Sequence, residues 1–78
     1  MTDHRIIDAR LMEPPEPFER TMEALDELPD GERLVLLLYR DPLPLYRALD
    51  LSGYRHDTVV LEDGTREIRI WRPAGAAA

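Results

Sequence analysis

Leu34-Val35-Leu36-Leu37-Leu38-Tyr39 is apolar at every position. Successive strand residues point to opposite faces, so an unbroken apolar run belongs in the middle of a sheet rather than at a half-wet edge. The run is far short of the roughly 20 residues that a membrane helix needs. The rest of the chain must therefore build a core around one central strand. With 78 residues it buries only about 60–65% of its unfolded surface and has no material for a second core. A deep catalytic cavity is not expected, and an enzyme is the least favoured class.

Apolar periodicity and turn chemistry place the other elements. Ile6-Ile7 opens a short strand and Asp8 leaves it. Glu13-Pro14-Pro15-Glu16-Pro17 precedes Phe18, Met22, Leu25 and Leu28, whose spacings of four, three and three form the stripe of an amphipathic helix. Prolines suit a first turn because its N–H groups lack intrahelical partners, and glutamates there favour the positive end of the helix dipole. Pro29-Asp30-Gly31 stops this helix. After the central strand, Asp41 is expected to cap a second helix, with Pro42 and Pro44 near its start and Leu45, Ala48 and Leu49 facing inward. Gly53 supplies its left-handed end, and Tyr54 closes that turn with an apolar contact. Arg55 to Glu62 and Thr65 to Arg72 read as strands joined by a two-residue Asp63-Gly64 hairpin turn.

The order is βαβαββ. Right-handed crossovers make the first three strands parallel, and the hairpin makes the fourth antiparallel. The expected fold is an α+β two-layer sandwich, with a mixed four-stranded sheet of order 1-2-4-3 and two helices on one face. Residues 1–72 form one domain, and 73–78 are expected to be a disordered tail.

Composition narrows the function. The chain has no cysteine and no lysine, which removes disulfides, thiolate chemistry and Schiff bases. Sixteen acidic residues against ten arginines leave a net charge of −6, a poor match to nucleic acid. Asn and Gln are also absent, a bias that fits either a GC-rich genome or a hot habitat. No apolar span and no secretory leader are read, so no membrane association is expected and the cytoplasm is the default.

With the elements in place, a family likeness emerges. Leu11 to Pro17 before a helix, then Leu28-Pro29-x-Gly31-Glu32 and an apolar strand, resembles the TusA/SirA-like sulfur-carrier superfamily. The likeness extends over almost the whole chain. It is most similar to a cysteine-lacking bacterial branch of unknown function with Glu-Pro-Pro-Glu-Pro before the first helix and Arg40-Asp41-Pro42-x-Pro44-Leu45-Tyr46 before the second. The resemblance implies the βαβαββ fold. In the sulfur carriers, a Cys-Pro-x-Pro motif sets a cysteine at the start of the first helix. Here Pro14 stands in its place, so the resemblance also implies that the carrier activity is lost.

Two regions are candidate sites. The loops after the first two strands would bring Asp8, Arg10 and Glu13 beside Arg40 and Asp41, where two arginines could grip a carboxylate or phosphate. A plainer role for the aspartates is turn and cap hydrogen bonding, with the arginines paired to neighbouring glutamates. A phosphate cradle is disfavoured because the prolines remove amide donors. The second region is the sheet face without helices. The two-residue turn would pair Val59 with Ile68 and Asp57 with Ile70 toward the helices. It would leave Val60, Arg69 and Trp71 outside, beside either Leu34, Leu36 and Leu38 or Val35, Leu37 and Tyr39. Such a strip suits a protein partner or a homodimer, or else lies under the long Arg69 and Glu67 side chains. His4 and His56 fall on opposite edges, so no metal site is expected, and no cofactor is implied. Ser52 reads as a turn residue. The leading expectation is a non-catalytic interaction domain. The alternative is a small-ligand or anion-binding accessory protein in sulfur or redox metabolism.

Overall fold

The computed structural model describes residues 5–73. His4 and Ala74–Ala78, and with them most of the expected tail, lie outside the described residues. The elements run β1 (Arg5–Asp8), α1 (Glu16–Asp26), β2 (Leu34–Leu38), α2 (Leu43–Leu51), β3 (Arg55–Val60) and β4 (Arg66–Trp71). The sheet order is β1-β2-β4-β3, with β1 parallel to β2 and β4 antiparallel to both of its neighbours. This is the architecture read from the sequence.

The central strand divides its apolar residues between two environments. Leu34, Leu36 and Leu38 join Leu25 and Leu28 from α1, Leu45 and Leu49 from α2, and Ile68 and Ile70 from β4 in one buried cluster. Each such side chain contributes about 1.5–3 kcal/mol on leaving water. Of the two strips considered for the open face, the structure therefore selects Val35 and Leu37.

Both helices end where the sequence places their stops. At the end of α2, Tyr54 N–H donates to the Leu49 carbonyl (2.9 Å) and Gly53 N–H to that of Asp50 (3.2 Å). Gly53, at φ 84°, takes the left-handed position of this Schellman closure. Tyr54 packs on the core as expected. The start of α1 carries the expected proline and glutamates in its first turn, whereas that of α2 differs from expectation. Neither helix has a side-chain cap: Pro15 and Pro42 stand at the N-cap positions. The Asp41 carboxylate instead meets the Tyr46 hydroxyl (3.4 Å) and Arg66 (3.7 Å). In α1, Thr21 rather than Phe18 occupies the buried stripe, its hydroxyl satisfied by the Pro17 carbonyl at 2.7 Å. Phe18 sits at the helix start, partly exposed.

The hairpin register is shifted by one residue from expectation. Leu61 N–H donates to the Thr65 carbonyl (2.8 Å) and Gly64 N–H to that of Leu61 (3.0 Å), so Glu62-Asp63-Gly64 is a three-residue loop. Val59 pairs with Glu67 and Asp57 with Arg69, not with Ile68 and Ile70. A two-residue type I′ turn would force Asp63 to positive φ. The longer loop leaves that conformation to Gly64 alone, at φ 90°, and among the described residues no other residue type adopts it. One residue of slip turns every β3 side chain over. Val60 therefore lies on the helix side, away from Arg69 and Trp71, and Asp57 lies on the open side.

Candidate functional site

The β1 and β2 chains leave the sheet at the same end, and both helices begin there. The loop from Ala9 to Pro15 and the loop from Tyr39 to Pro42 form the two walls of a groove of about 560 Å³. Ala9, Leu38 and Leu45 are buried residues along it, and Met12, Phe18, Tyr39 and Leu43 supply apolar surface. Leu43 is 68% and Tyr39 52% exposed. Pro14, Pro15, Pro17, Pro42 and Pro44 stiffen both walls, since each ring fixes its own φ.

All five expected rim residues gather here. Arg10, Glu13, Arg40 and Asp41 line the groove, and Asp8 lies just behind it. Asp8 accepts from Arg10 Nε (2.9 Å) and Nη2 (2.8 Å), and from the Arg10 backbone N–H (3.2 Å). These bonds hold the Asp8 carboxyl at a pKa of about 2, below its ordinary 3.8, and raise that of Arg10. The Arg10 guanidinium also lies 6.0 Å from the Tyr39 ring centre. Asp8 thus takes a turn N–H, the plainer role considered for it, while Arg10 pairs with Asp8 rather than with a glutamate. Asp41 shares Tyr46 with β3: the Tyr46 hydroxyl lies 2.6 Å from that of Thr58, and burial raises the phenol's pKa. Glu13 and Arg40 have no ion pair among the described residues.

The open sheet face is different. Arg33 stacks 4.3 Å from the Trp71 ring centre, and Arg69 pairs with Glu67 at 3.2 Å. Val35 is left only 9% exposed. Of the three residues expected there, Arg69 and Trp71 share the face and Val60 does not. A shallow hollow of about 550 Å³ remains between Ile6, Arg33, Val35, Glu67 and Arg69.

His56 has a packing role on the helix side of the sheet. Its ring stacks on Tyr46 (4.7 Å, 8° between planes) and its Nε2 lies 3.2 Å from Asp50, so it fastens β3 to α2. Among the described residues no cluster could hold a metal ion, and no helix is long and apolar enough to cross a membrane.

Residue-type reasoning missed the apolar walls. The sequence pattern puts Phe18 in the core stripe, Tyr39 in the central strand as a candidate for the open sheet face, and Met12 and Leu43 in no site. The available signal was the repetition of a proline run before each helix, with apolar residues beside it that neither helix stripe accommodates.

The family described as an uncharacterized conserved protein, DUF2249, matches residues 6–72. The chain belongs to this family. The crystal structure of a SirA-like protein from Desulfitobacterium hafniense is similar, with a TM-score of 0.74 and 26% sequence identity. The alignment covers 83% of this chain and 92% of that one. The SirA/TusA-like fold implied by the sequence resemblance is therefore the fold of this DUF2249 member. No curated protein matches the sequence.

Proposed function

We propose that the chain is a non-catalytic recognition domain whose binding site is the groove between the Ala9–Pro15 and Tyr39–Pro42 loops. The observation that carries this reading is the combination of an open, mainly apolar groove of about 560 Å³ with a rim cation, Arg40, that no carboxylate of the described chain occupies. Ligand sites are commonly concave and largely apolar, with a few polar groups that fix orientation. The end of a sheet where parallel strands feed helix starts is their usual place. The chain has no cysteine, and Pro14, which the sequence resemblance sets in the place of the sulfur carriers' cysteine, lines this groove. The reading therefore keeps the place that the resemblance implies for a site and leaves out the sulfur chemistry that it implies for the carriers. A role beside sulfur or redox metabolism rests on fold analogy alone.

A second reading, contact with a protein partner or a second copy through the open sheet face, is favoured by the hollow beside Ile6, which is 65% exposed. Native mass spectrometry of the protein recovered from its own cells separates the two. The groove reading expects that a ligand or partner retained by the wild type is lost in Arg40→Ala and Leu43→Asp but kept in Trp71→Ala. The reverse pattern would establish the sheet face, and retention by all three variants would sink both assignments.

A further inference from the structure

The charges around the groove do not cancel internally. Four charged residues line it. Arg10 is engaged twice by Asp8, and Asp41 is engaged by Arg66 and Tyr46. That leaves Glu13 on one wall and Arg40 on the other, opposite in sign and not within ion-pair distance of each other. Met12, Phe18, Tyr39 and Leu43 line the same groove with apolar surface.

A ligand that fills such a groove takes water from both unpaired groups, which is costly unless it replaces that water with partners. A purely apolar ligand would leave both charges without partners. A simple anion would meet Arg40 but face Glu13, and a simple cation would do the reverse. Phosphate fits poorly for a further reason: Pro17 and Pro44 remove amide donors from the first turn of each helix. A molecule with one carboxylate, one ammonium and an apolar body satisfies all three surfaces.

We infer that the groove takes a short apolar peptide with free termini, its carboxylate on Arg40, its ammonium on Glu13 and its side chains against Met12, Phe18, Tyr39 and Leu43. The inference rests on the recognition-domain reading and adds the ligand class. The groove volume lies within the roughly 300–1,000 Å³ of small-ligand sites, large enough for two apolar side chains. Five prolines hold its walls in shape, which lowers the ordering cost of binding. The carboxylate end also faces the start of α2, which has no side-chain cap and whose dipole favours negative charge.

The test is an amide-resolved NMR titration of the full chain with the dipeptide Leu-Phe in four forms: free, N-acetylated, C-amidated and capped at both ends. L-phenylalanine serves as a fifth probe. Shifts are expected at the amides of Ala9, Met12, Leu43 and Leu45. Each free end should tighten binding by about two- to fivefold, the range of partly exposed ion pairs. Arg40→Gln should erase only the advantage of the free carboxylate, and Glu13→Gln only that of the free ammonium. Both residues are exposed, so amide dispersion should be unchanged in the two variants. Equal binding of all four dipeptides at the groove would overturn the ligand class and leave the recognition site standing. L-phenylalanine binding as tightly as the dipeptide would overturn the peptide assignment in favour of a single amino acid. No groove shift with any probe would overturn the inference and remove support for a small-ligand site.

Discussion

The groove end and the open sheet face use similar materials, arginines beside apolar side chains, yet one closes on itself and the other stays open. On the sheet face, residues two apart on one strand, or opposite on neighbouring strands, stand side by side. Arg69 and Glu67 can pair there, and Arg33 reaches Trp71. Val35, opposite Arg69 in the sheet, is left only 9% exposed. At the groove, the walls belong to two loops stiffened by proline and separated by the width of the groove. Glu13 and Arg40 point from different walls and do not meet. Backbone geometry, not composition, thus separates a covered surface from an open one.

Removing what both regions rest on should have the largest effect. Leu36 is fully buried in the strand beneath them, so Leu36→Ala should cost about 2–5 kcal/mol through lost transfer energy and a residual cavity. Urea unfolding followed by circular dichroism would measure it. A loss under about 1 kcal/mol would mean that the core closes over the gap and that the two regions lack a common rigid support.

A matched pair of substitutions sharpens the contrast. Trp71→Ala should cost about 1–3 kcal/mol, because it removes a partly buried ring and its arginine stack. Leu43→Ala, at an exposed position on the groove wall, should change stability by no more than about 0.5 kcal/mol. The same unfolding assay compares them. If Leu43→Ala proved the costlier, the groove wall would be part of the core rather than a surface left free.

The smallest effect concerns the one fully engaged pair at the groove. Asp8 is held at about 2 against an ordinary 3.8. A carboxyl with a depressed folded pKa contributes stability above its unfolded value and loses that contribution as pH falls through the folded one. The Asp8 contribution should therefore be complete above about pH 4 and disappear toward pH 2. Carboxyl-carbon NMR of the wild type and Arg10→Gln reads this directly. The Asp8 midpoint should rise toward 3.8 in the variant, and an unchanged midpoint would show that Arg10 is not its cause.

Much of this was legible before any coordinates. The apolar run at Leu34–Tyr39 required a central strand, the prolines and Gly53 bounded the helices, and βαβαββ with right-handed crossovers left few sheet orders. The rim residues Asp8, Arg10, Glu13, Arg40 and Asp41 were readable because loops after parallel strands converge at one end of a sheet. The hairpin register was not legible. Asp63-Gly64 suits a two-residue turn, and only the pairing of Leu61 with Thr65 reveals the third loop residue. That single residue moved Val60 off the open face and placed His56 on Tyr46.

Local chemistry therefore settled the elements, their order and the end of the sheet where a site could form, because periodicity, turn residues and chain connectivity act over a few residues at a time. Which charges cancel depends on distances between loops and strands far apart in the chain. Tertiary packing alone paired Asp41 with Arg66, spread Arg33 over Trp71, and left Glu13 and Arg40 on opposite walls of the groove.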